Sequence, residues 1–278
     1  MSVAYYYFNA QSSSGWSDPA NMVDGSTSTY AYLHANKSVG PNPDIENEYC
    51  NSNNCAGTSL GRITKVELRC YWEYNIDSGN TNPRAYVNAT PYFNGSAGSL
   101  HTLFDTTSLV DLAPAWSSWS NITSSANHPT WGTNWNDIKN IDVNMHGYAR
   151  TGTDAASLYT YLLVFYIQMA VTYTPYAAST GSISSPSASA VNYRAGSGLA
   201  INGTAANAVG VNKVQHKVDS GSWVDCTGTT SWSATIPQSS LSTGAHTIYI
   251  QVQEQGSGTW TAVDNVAITQ SNIPSGVI

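Results

Sequence analysis

Val211-Asn212-Lys213-Val214, Val218-Asp219-Ser220-Gly221-Ser222-Trp223, Ser231-Trp232-Ser233 and Gly244-Ala245-His246-Thr247-Ile248 follow one another between Ile201 and Gln270. Each is a short run of apolar residues alternating with polar ones, cut by Gly, Ser, Thr or Asp at near-regular spacing. A period of two turns one face of a run toward a core, and turn residues between such runs mark strands folding back on one another. Val214, His216 and Val218 share a face, as do Ile248, Ile250 and Val252, and Val266 and Ile268. Trp223 and Trp232 are expected to plug the core. The pattern predicts a seven-strand β-sandwich of roughly 90 residues.

Composition extends the all-β reading to the whole chain of 278 residues. Only 10% of residues are charged, whereas Tyr and Trp number 18 and 9. Tyr, Trp, Thr and Val suit a pleated, half-buried surface, and the Lys and Glu that favour helices are scarce. Residues 1–178 hold 7 Lys/Arg against 13 Asp/Glu, a net of −6, and the remainder 3 against 4, a net of −1, matching the total of −7. Neither part offers the basic stripe that nucleic acid or an anionic membrane surface requires.

A Ser/Ala/Thr/Gly stretch bracketed by Pro175 and Pro186 predicts residues 178–190 as a linker, separating a first domain at 1–177 from a second at 191–278. In the first domain, Lys65 to Trp72 alternates with Val66, Leu68, Cys70 and Trp72 inward. Ala85 to Phe93 runs into an Asn94-Gly95 turn, and Ile138 to Met145 reads as a further strand. Leu163, Phe165, Ile167, Met169, Val171 and Tyr173 read as one face of a long closing strand. Because Leu162, Val164 and Tyr166 on its other face are also apolar, its first half is expected to be covered on both sides. Tyr5-Tyr6-Tyr7-Phe8 reads as the first strand of the same sheet, with Tyr5 and Tyr7 on one face. The expectation is a jelly-roll sandwich of roughly eight strands. Cys50 and Cys55 lie in a loop-like Asn/Ser segment and are able to pair. Cys70 and Cys226 read as separate buried thiols.

The Ile201–Gln270 stretch resembles the bacterial immunoglobulin-like modules of adhesins, secreted carbohydrate-active proteins and phage virion proteins. Such modules space, display or bind, which is what the resemblance implies here. A second resemblance is carried by Trp16-Ser17-Asp18-Pro19-Ala20-Asn21-Met22-Val23-Asp24-Gly25-Ser26-Thr27-Ser28-Thr29-Tyr30. It looks like the N-terminal signature of discoidin-like sandwiches and related carbohydrate-binding modules, with Tyr30 where Trp is commoner. That resemblance covers about fifteen residues. It implies a structural calcium held by Asp24, Thr29 and backbone carbonyls, a hard-cation arrangement that a tight Gly turn permits. The plain reading of the same residues is a capped turn before a strand. No other cofactor is implied.

Sugar recognition needs exposed rings together with planar polar side chains. Trp116, Trp119, Trp131 and Trp135, interleaved with Asn and His, are the candidate glycan contacts. Packing beneath a loop is the competing reading for the same four. No His-Glu-x-x-His, Gly-x-Ser-x-Gly or phosphate-loop motif occurs, and an enzyme is not expected. Met1 to Tyr7 lacks the basic start and apolar core of a secretory signal. A signal has either been removed or was never there, and the second case fits a particle assembled inside a cell and released by lysis. Two function classes follow. One is a virion structural protein (capsid decoration, head fibre or tail accessory protein) at the virion surface, homo-oligomeric and in contact with other virion proteins. The other is a secreted or cell-surface carbohydrate-binding protein or adhesin. Host-surface glycans are candidate partners in either case.

Overall fold

The computed structural model describes residues 1–36, 44–151, 158–193 and 198–271. The chain divides into two compact units, Met1–Tyr173 and Thr174–Ile278. Both are built from β-sheets, so the all-β class expected from composition holds throughout.

Among the described residues, unit 1 opens with β1 (Ser2–Ser14), β2 (Ala31–Asn36), β3 (Asp44–Asn53), β4 (Gly61–Ile76) and β5 (Arg84–Phe93). The short β6 (Ser96–Ala97), β7 (His101–Thr106), β8 (Leu112–Trp116) and β9 (Ser120–Asn121) follow, and β10 (Ile141–Arg150) and β11 (Tyr159–Pro175) close the unit. The strand order is β6-β5-β10-β3-β1-β11-β4-β8, with β2 beside β11. β1 belongs to both layers of this sandwich-like unit. Its first half pairs with β11, from Ser2 opposite Tyr173 to Tyr7 opposite Gln168. Its second half pairs with β3, from Phe8 opposite Asn53 to Ser14 opposite Glu48.

Alternation decides which side chains meet between the layers. Val66, Leu68, Cys70 and Tyr74 of β4 and Ile141, Val143, Met145 and Ala149 of β10 are all fully buried. Gly147 of β10 has no side chain because Trp16 and Leu33 fill the space where a Cβ would stand. Asn94 and Gly95 take the positive φ angles (49° and 83°) of the expected tight turn, and Phe93 pairs with Ser96 across it.

Five expectations need correction. Ile138 belongs not to β10 but to a helical turn, Asn136–Lys139, that precedes it. Cys50 sits inside β3 opposite Val143 rather than in a loop, and both Cys50 and Cys55 are buried free thiols. Burial pushes the Cys70 thiol up to about 12, which keeps it protonated and inert. In β11 both faces are buried from Leu162 to Phe165, as expected, but the face expected to run from Leu163 to Tyr173 does not stay on one side. Thr160, Leu162 and Val164 are buried in its first half, Ile167, Met169 and Val171 in its second. The inward set therefore changes parity at Phe165–Tyr166, as a β-bulge requires. The change falls between the segment paired with β2 (Tyr159–Val164) and the segment paired with β1 (Gln168–Tyr173). Phe165 and Tyr166 both turn to the outer face as a result.

The fourth correction concerns the boundary. The expected linker, 178–190, contains β12 (Thr180–Ser185), which pairs with β14 (Leu199–Ala206) of unit 2. Ser/Thr/Gly composition read as linker is here an edge strand, and the boundary lies between Tyr173 and Thr174. Unit 2 further contains β13 (Ala190–Tyr193), β15 (Val211–Val218), β16 (Val224–Asp225) and β17 (Thr227–Gly228). It ends with β18 (Ser231–Ile236), β19 (Gly244–Glu254) and β20 (Trp260–Ser271). One sheet has the order β12-β14-β18-β17 and the other β13-β20-β19-β15-β16. Ile201, Val214, Trp232, Ile248, Ile250, Val252 and Ile268 pack between them. Gly203 lies under the Trp232 ring, where a Cβ would also strike the Ser182 carbonyl. Trp223, expected in the core, is half-exposed beneath the Lys217 ammonium at 4.9 Å.

Unit 2 also holds a buried imidazole. His246 Nδ1 lies 2.7 Å from Asp219 Oδ2 and Nε2 lies 2.9 Å from the Ser242 carbonyl. Both ring nitrogens face acceptors, so the imidazolium is favoured. The Asp219 hydrogen bond, then the Ser242 carbonyl, raises the His246 pKa. Asp219 is lowered, first by the Thr247 N–H and then by His246. The stabilising contribution of His246 is complete below its unfolded value of ~6.5 and is lost as pH rises through the raised folded value. That of Asp219 is present above its unfolded value of ~3.9 and is lost as pH falls through the lowered one. Calorimetry of the full chain is expected to show one transition falling as pH rises above about 6.5. His246→Gln should flatten that dependence; an unchanged slope in the variant would remove the imidazolium from the account.

Candidate functional site

The four tryptophans expected to act together separate into two pairs. Trp135, at 1% exposure, donates its indole N–H to the Gly61 carbonyl at 2.7 Å and meets Tyr6 and Tyr173 edge-on. Trp131 donates to the Thr123 carbonyl at 2.6 Å, lies edge-on to Phe93 and stacks on His128. These two pin the loop between Thr123 and Trp135 to the sandwich, so packing accounts for them. Trp116 and Trp119 are half-exposed on the outer face of the sheet that carries β11, β4 and β8.

On that face the Arg69 guanidinium packs against both rings, its carbon 3.7 Å from the Trp116 centroid and 4.2 Å from that of Trp119. Its Nε and Nη2 donate to Gln168 Oε1 at 3.0 and 2.7 Å, which fixes the planar head. A cation held over two indoles rigidifies the surface they form. Trp119 continues to Tyr5, with centroids 6.1 Å apart. In the other direction Trp116 meets Tyr71 at 5.2 Å, Tyr71 meets Phe165 at 5.2 Å, Phe165 meets Tyr30 at 5.5 Å and Tyr30 meets Tyr32 at 6.3 Å. A continuous ladder of rings crosses the sheet from β1 to β2. Tyr5 and Tyr7 are 57% and 39% exposed beside it.

The reason for the ladder is alternation. In Tyr30-Ala31-Tyr32-Leu33-His34-Ala35 the apolar residues are buried, so the aromatic ones point outward. Arg69 and Tyr71 alternate with Leu68 and Cys70 in the same way. The bulge in β11 adds Phe165 and Tyr166. Sequence reading overlooked the outward set because it followed the inward one; the Tyr30/Tyr32/His34 alternation was the signal.

Asp24 and Thr29 are brought together, but to each other. The Thr29 hydroxyl donates to Asp24 Oδ2, and Ser26 N–H donates to Asp24 Oδ1 at 2.8 Å. Gly25, at φ 72°, makes the turn. Asn21 Nδ2 then holds the Tyr30 carbonyl at 2.9 Å, and Ser17 and Tyr32 exchange backbone hydrogen bonds of 3.1 Å. The whole motif thus delivers Tyr30 and Tyr32 to the ladder. As a cation site it supplies one carboxylate, both oxygens of which already accept hydrogen bonds. Among the described residues no three His, Cys, Asp or Glu side chains converge.

At the Tyr30 end the ladder opens into a cleft of about 480 Å³ lined by Tyr30, Tyr32, Tyr161, Leu163, Asn75, Ile76, Asp77 and Asp111. Asp77 Oδ2 accepts the Tyr159 N–H at 2.9 Å and Asp111 Oδ1 the Ile76 N–H at 2.8 Å. Beside the cleft, His34 is stacked on Tyr159 and Tyr161 at 4.9 and 5.0 Å. Asn75, Asp77 and Asp111 were not foreseen, since they meet only when the end of β4 approaches the start of β8.

Comparison with known proteins first gives a class for unit 2: residues 180–250 match the family model of a bacterial Ig domain. No curated protein sequence matches the chain. Solved structures similar to it include the fibronectin(III)-like modules of Clostridium thermocellum CbhA, with 12% identity, 87% of this chain and 94% of that one covered, and a TM-score of 0.29. A beta-1,2-glucanase from Parabacteroides distasonis aligns at 11% identity over 98% of this chain and 37% of its own, with a TM-score of 0.28. The glycoside hydrolase domain of Spr0440, Endo-D from Streptococcus pneumoniae R6, aligns at 10% identity over 96% and 37%, with a TM-score of 0.26. This chain therefore spans well under half the length of the last two, and likenesses this distant do not bear on its activity.

Proposed function

We propose that this chain is a non-enzymatic virion structural protein, a capsid decoration, head fibre or tail accessory protein, in which unit 1 makes contact through its ring-covered face and the Ig-like unit 2 is displayed. Unit 1 is read here as a jelly-roll sandwich of the discoidin-like kind. The observation that carries the proposal is the ladder from Tyr5 to Tyr32, a row of rings on the outer face of the sheet, toward whose ends Tyr5 and Tyr30 are 57% and 41% exposed. The non-enzymatic part is supported by how the acids are used. Asp24, Asp44, Asp77, Asp111 and Asp142 each accept a backbone N–H. These carboxylates staple loops to strands.

A homo-oligomer follows from attachment to a symmetric particle, and light scattering showing a monomer at all concentrations would count against it. The direct test of the reading is mass spectrometry of density-purified particles and washed cell envelopes from the source culture. Stoichiometric recovery with particles supports a virion component; recovery only with envelopes or medium overturns it.

A second reading, a secreted or cell-surface carbohydrate-binding protein, is favoured by the half-exposed Trp116 and Trp119 beside the rigid Arg69 head. The calcium that the discoidin-like motif implies belongs to either reading, with Asp24 and Thr29 as its side-chain ligands. Asp24→Ala separates a metal from a capped turn. A capped turn predicts the same loss of about 1 kcal/mol in calcium and in chelator. A loss seen only in calcium establishes the ion.

A further inference from the structure

We infer that the cleft at the Tyr30 end of the ladder is a binding site for a neutral saccharide chain, on the order of a disaccharide in size. The inference rests on the reading of this face as a contact surface and adds a place and a ligand class to it. A pyranose has one face of C–H groups and a rim of hydroxyls, so it needs an aromatic wall and fixed polar atoms at the wall's edge. Tyr30, Tyr32 and Tyr161 supply the wall, and Asn75, Asp77 and Asp111 supply the edge of the same cavity of about 480 Å³.

The polar groups are fixed before any ligand arrives. Asp77 and Asp111 are each held by a backbone N–H, and the Asn75 amide donates to Glu73 Oε1 at 3.1 Å. A carboxylate has about four acceptor positions, so each acid retains capacity for sugar hydroxyls after its backbone bond. The wall is equally fixed. Tyr161 is stacked on His34, and Tyr30 is seated on Phe165 at 5.5 Å. Pre-set groups of this kind reduce the ordering cost of binding.

Charge selects the ligand class. Among the described residues no Lys or Arg lines the cleft, whereas two aspartates do. A uronate, a sialate or a sulfated sugar would bring like charge against them. A neutral hexose chain meets no such repulsion, and beyond the cleft the partly exposed rings of Tyr71 and Trp116 continue the same face.

The test is intrinsic-fluorescence titration of the full chain with neutral gluco-, manno- and galacto-oligosaccharides, their uronate counterparts, and calcium chloride alone. Wild type, Tyr161→Ala, Asp111→Asn and Trp119→Ala are compared. Asp111→Asn retains an acceptor for the Ile76 N–H and so keeps the fold. The expected result is binding of at least one neutral series, weakened roughly tenfold or more by both cleft variants. Binding weakened by Trp119→Ala alone would move the site elsewhere on the face and overturn the inference. Preference for uronates, or a calcium response abolished by Asp111→Asn, would overturn the ligand class. Failure to bind any neutral sugar, by protein that still associates with particles, would overturn this site and leave the contact-surface reading standing.

Discussion

Trp135→Ala is expected to destabilise unit 1 by ~3–5 kcal/mol, the range for deleting a fully buried aromatic side chain. Three losses coincide. The indole leaves a cavity between Tyr6 and Tyr173, the Gly61 carbonyl loses its donor, and the helical turn that starts at Trp135 loses its anchor. A domain with ~5–15 kcal/mol in total is left marginal by such a change. Denaturant unfolding followed by near-ultraviolet circular dichroism measures it. A loss below about 1 kcal/mol would mean that Trp135 is not the plug described.

Replacing Trp116 and Trp119 together by alanine is expected to do the reverse: little to stability and much to contact. Both rings are half-buried at the surface. They lose the Arg69 head, a cation–π arrangement worth about 1 kcal/mol at exposed sites, and ring contacts with Tyr5, Tyr71 and Tyr166. Aromatic anchors at the centre of an interface carry ~2 kcal/mol or more of binding each. The double variant should therefore fold normally and bind its partner surface roughly a hundredfold or more weakly. The pair of results distinguishes rings that hold the sandwich from rings that work outside it. Sequence alone grouped all four tryptophans because they lie within twenty residues.

The parts of the fold that rest on strict alternation were legible: β4, β5, β15, β19 and the Asn94-Gly95 turn. Parity in β11 was not, because a bulge is set by how one strand meets two partners, and both registers are apolar in Leu162–Val171. The 178–190 segment misled for a related reason. An edge strand needs few apolar residues, so Thr180–Ser185 has the composition of a linker and the hydrogen bonds of a sheet. Trp223 was placed in the core on residue type, although the turn that carries it leaves it under Lys217. At the site, Trp116 and Trp119 were named before their surroundings were known. The rings and cation around them, Arg69, Tyr71, Phe165 and Tyr30, come from three separate segments, and only the strand order β1-β11-β4-β8 places them on one face. Asp24 and Thr29 meet through a hydrogen bond to each other, and the turn they form carries Tyr30 to the end of the ladder.

The most direct measurement is co-sedimentation of the purified full chain with density-purified particles from the source culture, wild type against the Trp116→Ala/Trp119→Ala double variant. Wild type should pellet with particles at saturable stoichiometry, and the folded double variant should remain in the supernatant. Equal pelleting of the two proteins, or no pelleting of either, would contradict a function carried by the aromatic face of unit 1.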